Sequence, residues 1–269
     1  MKNLIWLILF MLVLICVQAQ TDSAFKLKQI YEAVVNDFAV DNLGNLYIIT
    51  PTDQLKKLNA KGDSVGIFNE VRRFGTLYSM DVTNPMKLIL YYKDFSTIVM
   101  LDRFLNTINV IDLRTHGILQ AKAVALSYDN NVWIYDEQAA KLKKLGDDGR
   151  LLSETVDLRQ AMDEPPIPER IIDRDGYVYL CDSSRGIFSF DYYGSFRNRL
   201  PILHLQDVQV IGKTIVGRQD DHFVSYTLGT LELRESSLPK SILKSKKLII
   251  MPQGIYALAN DRIGLYSFK

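Results

Sequence analysis

The chain has 269 residues, of which 48% are hydrophobic and 23% charged, with 32 Lys and Arg against 31 Asp and Glu. This is ordinary globular composition. The resulting net charge of +1 excludes a chain-wide basic excess of the kind used against nucleic acid or an anionic membrane surface.

Taken in chain order, the first element is a leader. Lys2 precedes an apolar run from Leu4 to Val17, and Gln18, Ala19 and Gln20 follow. A short positive start, about 14 apolar residues and a small residue at the exit match a secretory signal peptide over residues 1–19, cleaved after Ala19. The run is short for a bilayer span, which needs about 20 residues. Cys16 stands behind the bulky Ile15, where a lipoprotein signal has a small residue, so lipidation is disfavoured. Residues 20–269 are therefore expected to be an exported domain with no stable membrane span. Their one cysteine, Cys181, makes no internal disulfide. Within the apolar run "GYVYLCD" it is expected to pack as a small hydrophobe.

Next in the chain comes Asp41–Asp63, "DNLGNLYIITPTDQLKKLNAKGD", which reads as strand, turn, strand and polar tip. Its "LKKL" carries apolar residues three apart, Leu55 and Leu58. The same pair recurs as Ile98/Leu101, Leu142/Leu145, Ile187/Phe190, Phe223/Tyr226 and Ile263/Tyr266, at intervals of 36 to 45 residues. An apolar strand precedes each pair: "NLYIIT", "KLILYY", "NVWIYD", "YVYLCD", "TIVGRQ" and "GIYALAN". These runs are rich in the β-branched and aromatic residues that suit a pleated sheet. Turn residues such as "DNLGN" and "DRDG" lead into several of them, because Asp, Asn and Gly tolerate positive φ or bond locally to the backbone. A spacing of three breaks strict alternation, and either a β-bulge or a second member at the strand end would reconcile it.

Four-stranded units of about 40 to 45 residues are the signature of a β-propeller. The expected fold is all-β, a six-bladed β-propeller with blades near 38–70, 78–114, 122–158, 167–202, 206–236 and 245–269. The last blade shows only three strand-like runs. The alternating "FKLKQIY" (Phe25 to Tyr31) from the mature N-terminus is expected to supply its fourth strand, closing the ring and removing two exposed edges.

The pattern Asp-x-x-Gly-Asn-φ-Tyr-φ at residues 41 to 48, with "DRDGYVYL" at 173 to 180, resembles blades of the NHL and SMP-30/gluconolactonase-like (TolB-like) six-bladed propellers. The resemblance implies architecture and is nearly silent about activity. Enzymes of that group are expected to gather a metal over the central channel with acidic and amide side chains from several blades. The acidic candidates here, Asp94, Asp136, Asp182 and Asp261, recur at one position after each apolar strand, where Thr50 stands in the first repeat. Repetition at a turn favours local backbone bonding over metal coordination. His116, His204 and His222 lack a ligand or catalytic partner at motif spacing, and His222 beside Asp220 and Asp221 reads as a solvated loop. No catalytic residue, metal ligand or cofactor is expected.

Two stretches read as partner contacts. "DYYGSFRNR" offers Tyr192, Tyr193, Phe196, Arg197 and Arg199, residue types enriched at interfaces. "MDEPPIPER" offers Pro165, Pro166, Pro168 and Arg170 on a stiffened extended segment. The leading expectation is a non-enzymatic, exported, protein-binding scaffold in the bacterial periplasm or at the periplasmic face of the outer membrane. Its partner would be a protein of the cell envelope, in an outer-membrane assembly or type IX-like secretion machine. The alternatives are a metal-dependent lactonase or lyase, and a carbohydrate-binding propeller, which aromatic rings exposed on one face would favour.

Overall fold

In the computed structural model, residues 25–268 are described, so the expected signal peptide, with Cys16 and Ala19, lies outside them. The described chain is six four-stranded antiparallel sheets. Blade one is β2 (Asp37–Val40), β3 (Leu46–Ile49), β4 (Leu55–Leu58) and β5 (Ser64–Phe68). Blade two is β6 (Ser79–Asn84), β7 (Lys87–Tyr92), β8 (Thr97–Leu101) and β9 (Thr107–Asp112). Blade three is β10 (Ala121–Leu126), β11 (Val132–Asp136), β12 (Lys141–Leu145) and β13 (Leu151–Glu154). Blade four is β14 (Arg170–Arg174), β15 (Tyr177–Asp182), β16 (Gly186–Asp191) and β17 (Phe196–Leu200). Blade five is β18 (Gln206–Ile211), β19 (Thr214–Gln219), β20 (His222–Thr227) and β21 (Glu232–Ser237). Blade six joins β22 (Lys247–Met251), β23 (Gly254–Ala259) and β24 (Arg262–Phe268) to β1 (Phe25–Tyr31), which pairs antiparallel with β24. This is the six-bladed propeller that the repeat predicts, closed by the N-terminal strand.

The strands that carry the pairs keep an unbroken register with the strand before them, and Leu58, Leu101 and Leu145 each end their strand, so the three-residue spacing is met by the strand end. A bulge lies instead on the neighbouring outermost strand. In blade one Lys57 faces Gly66 while Leu58 faces Ser64, so Val65 is the extra residue. The same slip skips Ile108 in β9, Leu152 in β13, Arg197 in β17 and Lys28 in β1. Blade five keeps an unbroken register between β20 and β21. A bulge adds local twist to the outermost strand. The members of a pair face opposite sides of the sheet, Leu55 toward blade two and Leu58 toward blade six.

Each sheet is buried on both faces, which changes what alternation means here. Along β7, Leu88, Leu90 and Tyr92 pack toward blade one while Ile89 and Tyr91 pack toward blade three. Tyr91 and Tyr92 are therefore both buried, where alternation on a sheet with one solvated face would turn one of the pair outward. The same division gives six apolar clusters, one at each seam between neighbouring blades. Burying one Leu, Ile or Phe side chain contributes about 1.5–3 kcal/mol, so the seams carry the ring's stability.

The first strands of successive blades lie against one another around the axis. They are too far apart for a shared backbone ladder, and side chains bridge instead. Asp81 accepts from the Leu126 amide at 2.9 Å, Asp207 from Leu248 at 3.0 Å and Gln209 from Ile250 at 2.7 Å. Lys247 reaches Asp37 at 2.7 Å across the closing seam.

Strand direction fixes two faces. The turns between first and second and between third and fourth strands open on one side, the turn face. The turns between second and third strands, and the connections between blades, open on the other, the connection face. The connections carry the helical turns α1 (Val71–Phe74) and α2 (Leu158–Ala161). Among the described residues, no helix is long and apolar enough to cross a membrane.

Candidate functional site

The two stretches singled out in the sequence both belong to blade four but begin on opposite faces. Tyr192 and Tyr193 form the turn between β16 and β17 on the turn face. Asp191 builds that turn, accepting from the Tyr193 amide at 2.9 Å, the Ser195 amide at 2.8 Å and the Arg197 guanidinium at 2.6 Å. The Arg197 charge and these amides outweigh the cost of burial and hold the Asp191 carboxyl below the usual range. Tyr193, at the tip, is 90% exposed. Phe196 is half exposed on the outer strand and meets Phe190 edge-on at 5.6 Å.

"MDEPPIPER" is the connection into β14 and is held firmly. Arg185 donates to the Pro165 carbonyl, Tyr135 Oη donates to the Pro166 carbonyl at 2.6 Å, and the Ile167 amide donates to Asp182 at 2.7 Å. Pro166 and Pro168 are buried and Pro165 half-buried. A partner facing this segment would therefore meet Glu164 and Ile167, because the proline rings pack inward where they fix the chain. Arg170 donates across the seam to the Val208 carbonyl at 3.0 Å, which gives it a structural task. Arg199 brings the two stretches together. Its guanidinium lies 2.8 Å from Glu164, donates to the Arg185 carbonyl at 2.9 Å and covers the Phe188 ring at 5.2 Å. No local pattern signals this junction, since Glu164 and Arg199 are distant in the chain.

The recurring acidic residues serve turns, as their repetition implied, in the two best-defined cases. Asp136 accepts from the Ala139 amide and pairs with Lys143. Asp182 accepts from the amides of Ser184 and Arg185 and from Ile167. Burial works against the Asp182 charge, but these donors together hold its carboxyl below the usual range. Among the described residues, no group of three or more His, Cys, Asp or Glu side chains converges as a metal site would require. His222 pairs at 2.6 Å with Asp221, both well exposed.

Tyr192 leads to a second arrangement, at the turn-face end of the seam between blades three and four. Asp173, in β14, accepts from Trp133 Nε1 at 2.8 Å, Ser127 Oγ at 3.0 Å, the Tyr128 amide at 3.2 Å and Tyr192 Oη at 2.7 Å. The Tyr192 ring stacks on Tyr128 with centroids 4.2 Å apart and planes 10° apart. Lys144 Nζ sits about 5 Å from the Tyr128 and Trp133 rings and 2.6 Å from Asp129. Burial and the Asp173 carboxylate both push the Tyr192 phenol upward, so it stays a neutral donor. Trp133 and Asp173 stand inside stretches that the repeat already marks, "NVWIYD" and "DRDG". What the sequence lacks is any sign that they meet across a seam.

Cys181 is 6% exposed, and burial pushes its thiol up to about 12. The thiolate is the reactive form. Residues 20–269, native at about pH 8, should therefore leave a thiol-specific disulfide reagent unreacted, while the same chain denatured releases one equivalent; rapid native release would show an exposed sulfur.

No family model and no curated protein matches the chain. Solved structures share its fold. An inactive virginiamycin B lyase from Staphylococcus aureus, solved with quinupristin, is 11% identical over 91% of this chain and 100% of its own, with a TM-score of 0.66. The WD40 domain of Neurospora crassa Pan2 is 11% identical over 94% and 92%, with a TM-score of 0.61. BamB from Moraxella catarrhalis is 15% identical over 90% and 86%, with a TM-score of 0.50. At such identities the likeness is one of fold, the β-propeller.

Proposed function

We propose that this protein is an exported, non-enzymatic propeller that binds a protein partner in the bacterial periplasm or at the periplasmic face of the outer membrane. There it serves as a scaffold or accessory subunit of an envelope assembly or secretion machine, such as a type IX-like apparatus. The NHL and SMP-30-like cast of its blade motifs fits a fold whose function resides in grafted surfaces. One observation carries the reading: blade four presents exposed interface-type residues on a rigid frame. Phe196 and Arg197 stand exposed on its outermost strand, and on the connection face Ile167 stands exposed on a segment tied down at Pro165, Pro166 and Ile167. A preformed segment loses little freedom on association, so more of its contact energy appears as affinity.

The test uses tagged residues 20–269 to capture partners from the native envelope, beside the same chain carrying Phe196→Asp and Ile167→Asp. The expected result is a stoichiometric partner that the double variant loses at least about tenfold, equivalent to about 1.4 kcal/mol, with an unchanged melting curve. Recovery of the propeller alone, or equal capture by the variant, would overturn the proposal.

A further inference from the structure

We infer a saccharide-binding cleft on the turn face, where the first turns of blades two, three and four converge, lined by Tyr192 but by neither Phe196 nor Ile167. A cleft of about 310 Å³ opens there, at the small end of the range that takes small ligands. One wall is the stacked pair of Tyr128 and Tyr192. The Tyr128 ring is 63% exposed, yet it is held: Tyr192 backs it at 4.2 Å and is itself pinned by its hydroxyl to Asp173 at 2.7 Å. A fixed, solvent-facing aromatic plate of this kind suits the C–H face of a pyranose, which is apolar and flat while its rim is polar.

The remaining wall supplies that rim with partners. Asn130, Asp175 and Arg174 line the cleft, and the Asn130 Nδ2, the Asp175 carboxylate and the terminal nitrogens of Arg174 make no hydrogen bond to other described residues. Asn130 is held in place through its Oδ1, which accepts from Asn84 at 2.8 Å, and Arg174 through its Nε, 3.4 Å from the Val210 carbonyl. Asp173 adds a second carboxylate to the lining, its oxygens taken up by Ser127, Tyr128, Trp133 and Tyr192, which leaves one carboxylate, one guanidinium and one amide to offer both donors and acceptors. Such a set matches vicinal hydroxyls, each of which donates and accepts. It is ill suited to a phosphate or a polycation, which would need an excess of one sign.

The test is saturation-transfer difference NMR on residues 20–269 with cellobiose, maltose, lactose and N,N′-diacetylchitobiose at millimolar concentration, and adenosine monophosphate as the contrasting stacking ligand. At least one disaccharide is expected to show transfer, strongest on its ring C–H protons. Tyr128→Ala should weaken that binding at least tenfold, and Asp175→Asn, which keeps the left-handed backbone at that turn, should weaken it severalfold. Phe104→Ala, an exposed tip elsewhere on the same face, should leave it unchanged. No transfer from any of the four sugars, transfer from the nucleotide alone, or undiminished sugar binding by Tyr128→Ala would overturn the inference. None of these results bears on capture of a protein by blade four, so the two readings stand or fall separately.

Discussion

Trp133→Ala should lower the melting temperature by roughly 6 to 20 °C. The indole is 1% exposed and packs in the seam of blades three and four with Val178, Leu180 and Phe190. Truncating a buried tryptophan costs about 3–5 kcal/mol through lost transfer energy and the cavity left behind. In a chain of this size each kcal/mol shifts the midpoint by about 2–4 °C. Asp173 would also lose the donor at 2.8 Å. Trp133→Phe separates the two contributions, because it keeps most of the volume and removes the Nε1 hydrogen bond, a cost of about 1–3 kcal/mol. Thermal unfolding followed by circular dichroism measures both. If the alanine variant melts within a degree of the parent, the seams do not carry the ring and the energetic account given above fails.

Removing the N-terminal strand should be more damaging still. A chain beginning at Glu32 lacks β1, so β24 becomes an unprotected edge and blade six loses Tyr31, which is 5% exposed and stacks on Tyr256 at 6.3 Å. An open, flat edge is a template for pairing with other chains, and the cluster between blades six and one would lie partly in water. The truncated chain is expected to aggregate or to elute far from its monomer position on size exclusion. A chain beginning at Gln20 should run as a folded species. A monomeric truncation with unchanged melting would show that the ring does not depend on this closure. Because β1 pairs with β24, the native closure cannot form until Arg262–Phe268 has been synthesised.

How far the fold was legible can be traced through particular elements. The apolar pairs from Leu55/Leu58 to Ile263/Tyr266 located one strand in every blade, and their odd spacing is met where Leu58, Leu101 and Leu145 end their strands. Local turn chemistry was equally readable. Asp175 and Gly176 take φ of 51° and 90° in the tight turn that "DRDG" announces. Gly186 has φ of 96°, and a Cβ there would stand 2.2 Å from the Leu200 carbonyl, so a non-glycine residue would force that turn apart. Tyr91 and Tyr92 show where the pattern misled. Alternation tells which neighbour a side chain faces, and in a propeller both neighbours are protein.

The candidate sites were less legible for the same reason. "DYYGSFRNR" and "MDEPPIPER" were identified by residue type, yet the sequence did not show that Pro166 and Pro168 turn inward, or that Arg199 reaches Glu164. The Tyr128–Tyr192 stack and the donors gathered on Asp173 were not visible at all, because they join residues roughly twenty to sixty positions apart in the chain. What the sequence by itself determined is what repeats at short range: strand period, turn type, blade number and the need for a terminal strand to complete the ring. Only the tertiary structure decided which side chains share a seam, which stay exposed and where a cleft opens. Those depend on the rotation of each blade against the next, which no single repeat encodes.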